Sequence, residues 1–208
     1  MPDPYLYPIV DTAVCRARGM DPVRLADACF RAGVRMLQIR TKDESSAALL
    51  AVADRIVAAG RAAGARVIVN DRPDIALMAG ADGAHIGQED LPVEAARAIL
   101  GPDRVVGVST HTRDQIDRAL QTTADYVAVG PIFGTSTKNT GYSARGLELV
   151  AYAAGRGKPI VAIGGITLDR ASEVVAAGAS GLAVITDLLT GFDVEGRVLG
   201  FIRTVREL

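Results

Sequence analysis

The stretch from Val67 to Gly87 reads VIVNDRPDIALMAGADGAHIG and contains one complete structural unit. A β-branched run predicts a strand, and the turn that follows places Pro73 at the first position of a helix, where a missing N–H costs nothing. The Ala79-Gly80 pair then predicts the helix end, because glycine adopts the left-handed conformation cheaply and turns the chain back. A second short strand begins at Gly83. The stretch therefore predicts a strand, a helix and a returning strand.

The same unit recurs along the whole chain. Eight short apolar runs are predicted as strands, and they begin at Tyr5, Met36, Val67, Gly83, Val105, Tyr126, Pro159 and Gly181. Helical patterns lie between them, the clearest with Leu49, Val52, Ala53, Ile56 and Val57 on one face. Eight strand and helix units in 208 residues predict an α/β fold of the (β/α)8 TIM barrel type. A doubly wound open sheet is the alternative, since alternation of strands and helices does not by itself decide closure.

Composition limits the classes of function. The chain carries 23 Lys and Arg against 24 Asp and Glu, a formal net charge of −1, and 49% of its residues are hydrophobic. We expect a single catalytic barrel domain over residues 1–208, with no nucleic-acid partner and no membrane partner. Neither a signal segment nor a membrane span is evident, so we expect a cytoplasmic protein. Cys15 and Cys29 lack metal-ligand spacing and are interpreted as reduced thiols. Both a monomer and a homodimer are compatible with the sequence.

Long polar side chains alternate along the second strand. Because side chains two residues apart share a face, Gln38, Arg40 and Lys42 are expected to point together, while Leu37 and Ile39 face the helices. Guanidinium and ammonium groups at the mouth of a barrel suit an anion with several oxygens. The alternative is that Arg40 only pairs with a neighbouring carboxylate.

Two aspartates follow the third and fourth strands in similar surroundings. Asp71 and Asp90 each lie two residues before a proline that is predicted to open a helix. They could simply complement the helix dipoles. Adjacent strands nevertheless bring both carboxylates to the rim that holds Arg40 and Lys42, and carboxylates facing a bound phosphate are a common Mg²⁺ arrangement. We therefore expect a magnesium ion held by Asp71 and Asp90.

The loops after the last three strands suggest phosphate binding. Residues 133–141 form a hydroxyl-rich loop that could carry Lys138 over a bound anion, or could be an ordinary surface loop. Gly164-Gly165 follows the seventh strand and Ile185-Thr186 the eighth, where barrels commonly bind phosphate through backbone N–H groups. His85 is interpreted as a core residue, and neither His85 nor His111 is assigned a base role.

Several motifs in this order resemble the thiamine-phosphate synthase family over nearly the whole chain. They include Gln38-x-Arg40-x-Lys42, Asn70-Asp71-Arg72, residues 85–90 (HIGQED), Gly107-Val108-Ser109, residues 130–138 (GPIFGTSTK) and residues 162–166 (AIGGI). The resemblance implies a Mg²⁺-dependent transferase that joins a hydroxymethylpyrimidine diphosphate to a thiazole phosphate, releasing pyrophosphate and forming thiamine phosphate. In the family the bond to pyrophosphate ionises first, and the thiazole nitrogen captures the pyrimidinylmethyl cation.

The resemblance also implies roles for individual residues. Asp71 and Asp90 are the expected Mg²⁺ ligands, and Lys138, Arg40 and Ser109 the expected catalytic residues. The residues expected to bind the pyrimidine diphosphate are Gln38, Ile39, Arg40, Thr41, Lys42, Asn70, Ser109 and Lys138. Those expected to bind the thiazole phosphate are Thr135, Ser136, Thr137, Gly165, Ile185 and Thr186.

Three other functions are compatible with such a barrel. A thiazole tautomerase of the same fold would not need a metal for diphosphate departure. A phosphosugar isomerase or epimerase would share the phosphate site but would need a carboxylate or histidine base. A third alternative is a barrel that has lost its chemistry and senses thiamine precursors. Pyrophosphate release separates coupling from the others.

Overall fold

The computed structural model describes residues 5–42, 44–135, 141–191 and 193–206, and it contains a closed parallel barrel with strand order β1 to β8. The strands are β1 Tyr5–Asp11, β2 Met36–Arg40, β3 Arg66–Asn70, β4 Gly83–Ile86, β5 Val105–Thr110, β6 Tyr126–Val129, β7 Ile160–Ile163 and β8 Gly181–Val184. Pairing of β1 with β8 closes the sheet. The barrel prediction is confirmed, and the open-sheet alternative is wrong.

Helices follow the strands and cover the outside of the barrel. They are α1 Thr12–Ala17, α2 Pro22–Arg31, α3 Ser46–Ala62, α4 Pro73–Met78, α5 Val93–Leu100, α6 Arg113–Leu120, α7 Leu147–Ala153, α8 Ala171–Ala176 and α9 Val194–Arg206. Two short 3₁₀ helices, Leu168–Arg170 and Thr186–Leu189, follow β7 and β8. Pro73 opens α4 as predicted, but Pro92 precedes the first residue of α5, because that helix begins at Val93.

Side chains on each strand point alternately into the barrel and toward the helices, so the core has two layers. Tyr7, Ile9 and Ile68 belong to a cluster inside the barrel, whereas Leu37 and Ile39 pack between the sheet and the helices. Gln38 and Arg40, on the opposite face of β2 from those two residues, line the interior cavity. The predicted division of side chains along β2 is confirmed for the residues within the strand.

Local sequence signals set the ends of the helices. The predicted apolar face of α3 is buried or half-buried along its length. Glycines in the predicted helix-ending pairs, including Gly33, Gly80 and Gly178, have φ angles of 91°, 64° and 101°. Such angles are easily adopted only without a Cβ, so these residues turn the chain back toward the sheet.

Both cysteines lie in the core, away from the cavity. Cys15 and Cys29 are free and buried, and burial raises the pKa of each thiol to about 12. Thiols with so high a pKa are weak nucleophiles at neutral pH. None of the helices in the described ranges has the length and apolar character needed to cross a bilayer.

Candidate active site

A cavity of about 590 Å³ opens at the carboxyl ends of the strands. This is the face on which (β/α)8 barrels place their chemistry. Eight of the predicted site residues line the cavity, namely Gln38, Arg40, Asn70, Ser109, Thr135, Gly165, Ile185 and Thr186. The fold therefore brings together residues that are distant in the sequence, from Gln38 to Thr186.

Arg40 is held by a carboxylate that the sequence analysis missed. Its guanidinium pairs with Asp11, and both side chains are buried. Asp11 ends β1 directly opposite Arg40 in the strand register, and its other carboxylate oxygen caps α1 by accepting from the Val14 amide at 3.0 Å. Buried charges need such compensation, and breaking a buried pair typically costs about 3–5 kcal/mol. The signal available in the sequence was an acidic residue at the end of a predicted neighbouring strand.

Pairing with Asp11 does not use all of the donors at this end of the cavity. Arg40 Nε and Asn70 Nδ2 are buried and have no hydrogen-bond partner within the described part of the chain. Leaving a buried donor unpaired costs roughly 1–3 kcal/mol, so a ligand that supplies acceptors here would gain free energy by pairing with both groups. The two donors favour an acceptor-rich ligand, such as a phosphate group or a heterocycle.

The two predicted metal ligands lie outside this lining, at the ends of β3 and β4. Asp71 is half-buried and has a positive φ angle of 62°, which is uncommon for a residue other than glycine. Its amide donates to the His85 carbonyl at 2.7 Å, which fixes its backbone beside β4. Asp90 is exposed, and its Oδ2 accepts from the Gly87 amide at 2.7 Å. A hydrogen bond thus fixes the backbone of Asp71 beside β4, whereas in Asp90 it is the carboxylate that is held, by the Gly87 amide.

The remaining predicted residues have different positions. Ile39 is buried against the helices, so its side chain points away from the cavity. Thr41 is half-buried and Lys42 exposed just beyond β2. Ser136, Thr137 and Lys138 lie outside the described residues. The roles expected for these residues remain predictions.

Glycines shape the opposite end of the cavity. Gly164 and Gly165 have φ angles of 102° and 63°. A Cβ on Gly165 would lie 2.6 Å from the carbonyl oxygen of Gly134 and 2.9 Å from Cβ of Phe133. The missing side chain therefore lets the loop after β6 pack directly onto the loop after β7.

A buried carboxylate joins the loops after β7 and β8. Asp187 Oδ2 accepts from the Leu168 amide at 3.1 Å and from Arg197 Nη2 at 2.6 Å. Asp187 directly follows Thr186 and also lines the cavity. The sequence analysis missed its role, which is to fix the backbone at the predicted thiazole phosphate site.

A chain of polar side chains crosses the floor of the cavity. Gln38 Nε2 donates to the Tyr7 hydroxyl at 3.2 Å, and the hydroxyls of Tyr7 and Tyr126 are 2.9 Å apart. His85 Nδ1 lies 3.0 Å from the Tyr126 hydroxyl, and His85 Nε2 lies 2.8 Å from Ser109 Oγ. All five side chains are buried, and burial raises the pKa of both tyrosines well above its ordinary value. His85 is a satisfied interior residue as expected, but it also lines the cavity.

The closed barrel and the polar cavity at the strand ends define a (β/α)8-barrel enzyme. The family model for thiamine monophosphate synthase matches residues 6–188. The chain belongs to this family, as its resemblance predicts.

Individual relatives agree with the family match. The chain is 46% identical to a thiamine-phosphate synthase from Anaeromyxobacter dehalogenans, over 85% of this chain and 80% of the relative. It is 43% identical to one from Moorella thermoacetica, over 93% and 92% of the two chains. A solved structure of a thiamine phosphate pyrophosphorylase from Pyrococcus furiosus superposes with a TM-score of 0.87 at 29% identity and covers 98% of this chain and 96% of its own.

Proposed function

We propose that this chain couples 4-amino-2-methyl-5-(diphosphooxymethyl)pyrimidine to a thiazole phosphate, forming thiamine phosphate and releasing pyrophosphate. The observation that carries the proposal is the pair of buried, unpartnered donors, Arg40 Nε and Asn70 Nδ2, in the cavity of a barrel from this family. They support binding of the diphosphate substrate at the β2 and β3 end. The cavity lining after β7 and β8, which includes Gly165 and Thr186, supports binding of the monophosphate, because barrels commonly bind phosphate there.

The reaction needs charge stabilisation and alignment more than it needs a base. The C–O bond between the pyrimidine methylene and the diphosphate breaks, and its electron pair leaves on the pyrophosphate oxygen. The lone pair of the thiazole nitrogen then forms the new C–N bond to the methylene carbon. We propose that Arg40, which pairs with Asp11, stabilises the departing negative charge. Holding both substrates in one cavity lowers the entropic cost of their encounter.

We further propose that Asp71 and Asp90 hold Mg²⁺ against the diphosphate. Asp71 directly follows β3 and Asp90 lies in the loop after the adjacent strand β4, and carboxylate oxygens are ligands that Mg²⁺ prefers. When bound, the ion would supply positive charge to the diphosphate oxygens. Lys138 is proposed to add a second positive charge from the loop after β6.

We propose a cytoplasmic location for this activity. Two free, buried thiols support a reducing compartment.

The test is incubation of the purified chain with both substrates and Mg²⁺, measuring pyrophosphate and thiamine phosphate together. We expect one pyrophosphate for each thiamine phosphate, and no pyrophosphate when the thiazole phosphate is omitted. Isomerisation of the thiazole phosphate alone, without pyrophosphate release, would instead identify a tautomerase. Full activity in excess EDTA would contradict the metal proposal.

A further inference from the structure

We infer that Tyr7, Tyr126 and His85 are positioning residues that fix which way Gln38 and Ser109 hydrogen-bond to a ligand in the cavity. The inference rests on the proposed function, because it takes the pyrimidine substrate as that ligand. It starts from the chain of hydrogen bonds on the cavity floor, which joins Gln38 to Ser109 through these three side chains.

Counting donors gives the chain one direction. Gln38 Nε2 donates to the Tyr7 oxygen, and the buried Tyr7 proton needs an acceptor, which among the described residues is the Tyr126 oxygen 2.9 Å away. The Tyr126 proton is then directed at His85 Nδ1, which must be unprotonated to accept it. A neutral imidazole with Nδ1 unprotonated carries its proton on Nε2 and donates to Ser109 Oγ.

The direction of this chain of hydrogen bonds determines which donors and acceptors face the ligand. Ser109 Oγ accepts from His85, so its own proton is directed to the cavity as a donor. Gln38 uses one of its two N–H groups in the bond to Tyr7, which leaves its carbonyl oxygen as an acceptor and its second N–H group as a donor. An aminopyrimidine offers the complement of this pair, because its amino group donates and its ring nitrogens accept. The floor thus selects for a heterocycle with a donor and an acceptor on one edge.

The surroundings of Tyr7 and Tyr126 preserve the chain of hydrogen bonds. Burial raises the pKa of both phenols well above its ordinary value, so they stay neutral and each retains one proton. Position 107 on the neighbouring strand β5 is glycine, and a Cβ there would lie 2.0 Å from Cζ of Tyr126. The ring of His85 stacks on Tyr126 with an interplanar angle of 18°. The sequence therefore leaves space in the middle of a strand for this one tyrosine ring.

Two conservative variants test the inference. Tyr126→Phe and Tyr7→Phe each keep the ring but remove one hydroxyl from the chain. We expect either change to raise the Kd and KM of the pyrimidine diphosphate about tenfold, the size of one buried hydrogen bond, and to leave the KM of the thiazole phosphate within about twofold. Tyr5→Phe is the matched control on the same face of β1, because no hydrogen bond of its hydroxyl is found among the described residues, and it should change neither constant.

Nitrogen NMR of the histidines supplies a measurement that does not depend on turnover. The chain has two histidines, so a His111→Gln variant assigns the signals. We expect wild-type His85 to be unprotonated at Nδ1 and protonated at Nε2, and Tyr126→Phe to shift the Nδ1 signal. Protonation at Nδ1 in the wild type would overturn the direction assigned to the chain.

The binding results separate this inference from the proposed function. A wild type that releases no pyrophosphate contradicts the proposed function, while the histidine NMR signals still test the direction of the hydrogen bonds. A wild type that turns over normally, with unchanged pyrimidine affinity in both Phe variants, overturns only the positioning role. An equal rise in both KM values would also overturn it, since that result would indicate a general loss of structure.

Discussion

The two ends of the cavity are made from different parts of the chain. At the β2 and β3 end, the groups that face the cavity are buried side chains, with Arg40 fixed by Asp11 and Asn70 leaving an N–H group unpaired. At the β7 and β8 end, the lining combines glycine backbone at Gly164 and Gly165 with side chains that include Arg170, Thr186 and Asp187. The first end presents a buried cation and unpaired side-chain donors, and the second contains close-packed glycine backbone that the first end lacks.

This difference determines how each end responds to substitution. A side-chain end can be altered one group at a time, because each donor is a separate side chain. The glycine positions at the other end can be altered only by adding atoms where none fit, so a change there also strains the fold. Substitution of Asn70 at the β2 and β3 end should therefore weaken binding of the pyrimidine diphosphate and leave protein stability nearly unchanged. Substitutions of the glycines at the β7 and β8 end should weaken binding of the thiazole phosphate and also lower the free energy of unfolding.

The largest effect is expected from Lys138→Ala, because the proposed function gives this residue a charge that acts on the diphosphate substrate. Charge on the departing pyrophosphate grows in the transition state, and a group that binds the transition state more strongly than the ground state raises kcat. We expect kcat to fall by about 10²- to 10³-fold, as for other single charge-stabilising groups. Lys138→Arg should recover part of the loss. A raised KM for the pyrimidine diphosphate with unchanged kcat would show instead that Lys138 only binds substrate.

Removing the Asp71 carboxylate should have the next largest effect. Asp71→Asn is preferable to alanine, because asparagine tolerates the positive φ angle of 62° at this position. We expect turnover at low Mg²⁺ to fall by on the order of 10²-fold, with partial recovery at high Mg²⁺. Asp74→Asn is the control. Asp74 lies in the first turn of α4, and its exposed carboxylate pairs with Arg72. Equal Mg²⁺ dependence in the wild type and in Asp71→Asn would remove Asp71 from the proposed metal site.

Gly165→Ala tests the backbone end. A Cβ there meets the Gly134 carbonyl oxygen at 2.6 Å on a residue with φ of 63°, so we expect a loss of about 2 kcal/mol in the free energy of unfolding. The KM of the thiazole phosphate should rise about tenfold, and that of the pyrimidine diphosphate much less.

Gly155→Ala separates strain from contact. Gly155 has a similar φ of 73°, but nothing lies within 4 Å of its added Cβ. We expect it to lose about 1 kcal/mol of stability through backbone strain alone and to leave both KM values unchanged. If the two variants were equally destabilised, the contact between the loops after β6 and β7 would contribute nothing measurable.

The same contrast explains which parts of the site could be predicted from the sequence. The barrel followed from repeated strand, helix and glycine signals, and the inward direction of Gln38 and Arg40 followed from the two-residue period of a strand. The pairing of Arg40 with Asp11 depends on the register of β1 with β2, which sequence patterns do not encode. The hydrogen bonds on the cavity floor join residues from β1, β2, β4 and β6 to Ser109 on β5. Only the closed barrel brings them into contact.

The backbone end was harder to interpret in detail. The glycines after β7 suggested a phosphate site, but a glycine that frees an N–H group and one that lets two loops pack look the same in sequence. The structure shows that Gly165 accommodates the loop after β6. The clamp by Asp187 and Arg197 spans two loops and a helix, so its role depends on tertiary placement.

The most direct test of the division between the two ends is the pair of KM values in Asn70→Ala. Because Asn70 Nδ2 has no partner within the described residues, losing it should cost the fold little and affect mainly the ligand. We predict that the KM of the pyrimidine diphosphate rises about tenfold while the KM of the thiazole phosphate stays within about twofold. A rise in the thiazole phosphate KM alone, or an equal rise in both, would contradict the assignment of the side-chain end to the diphosphate substrate.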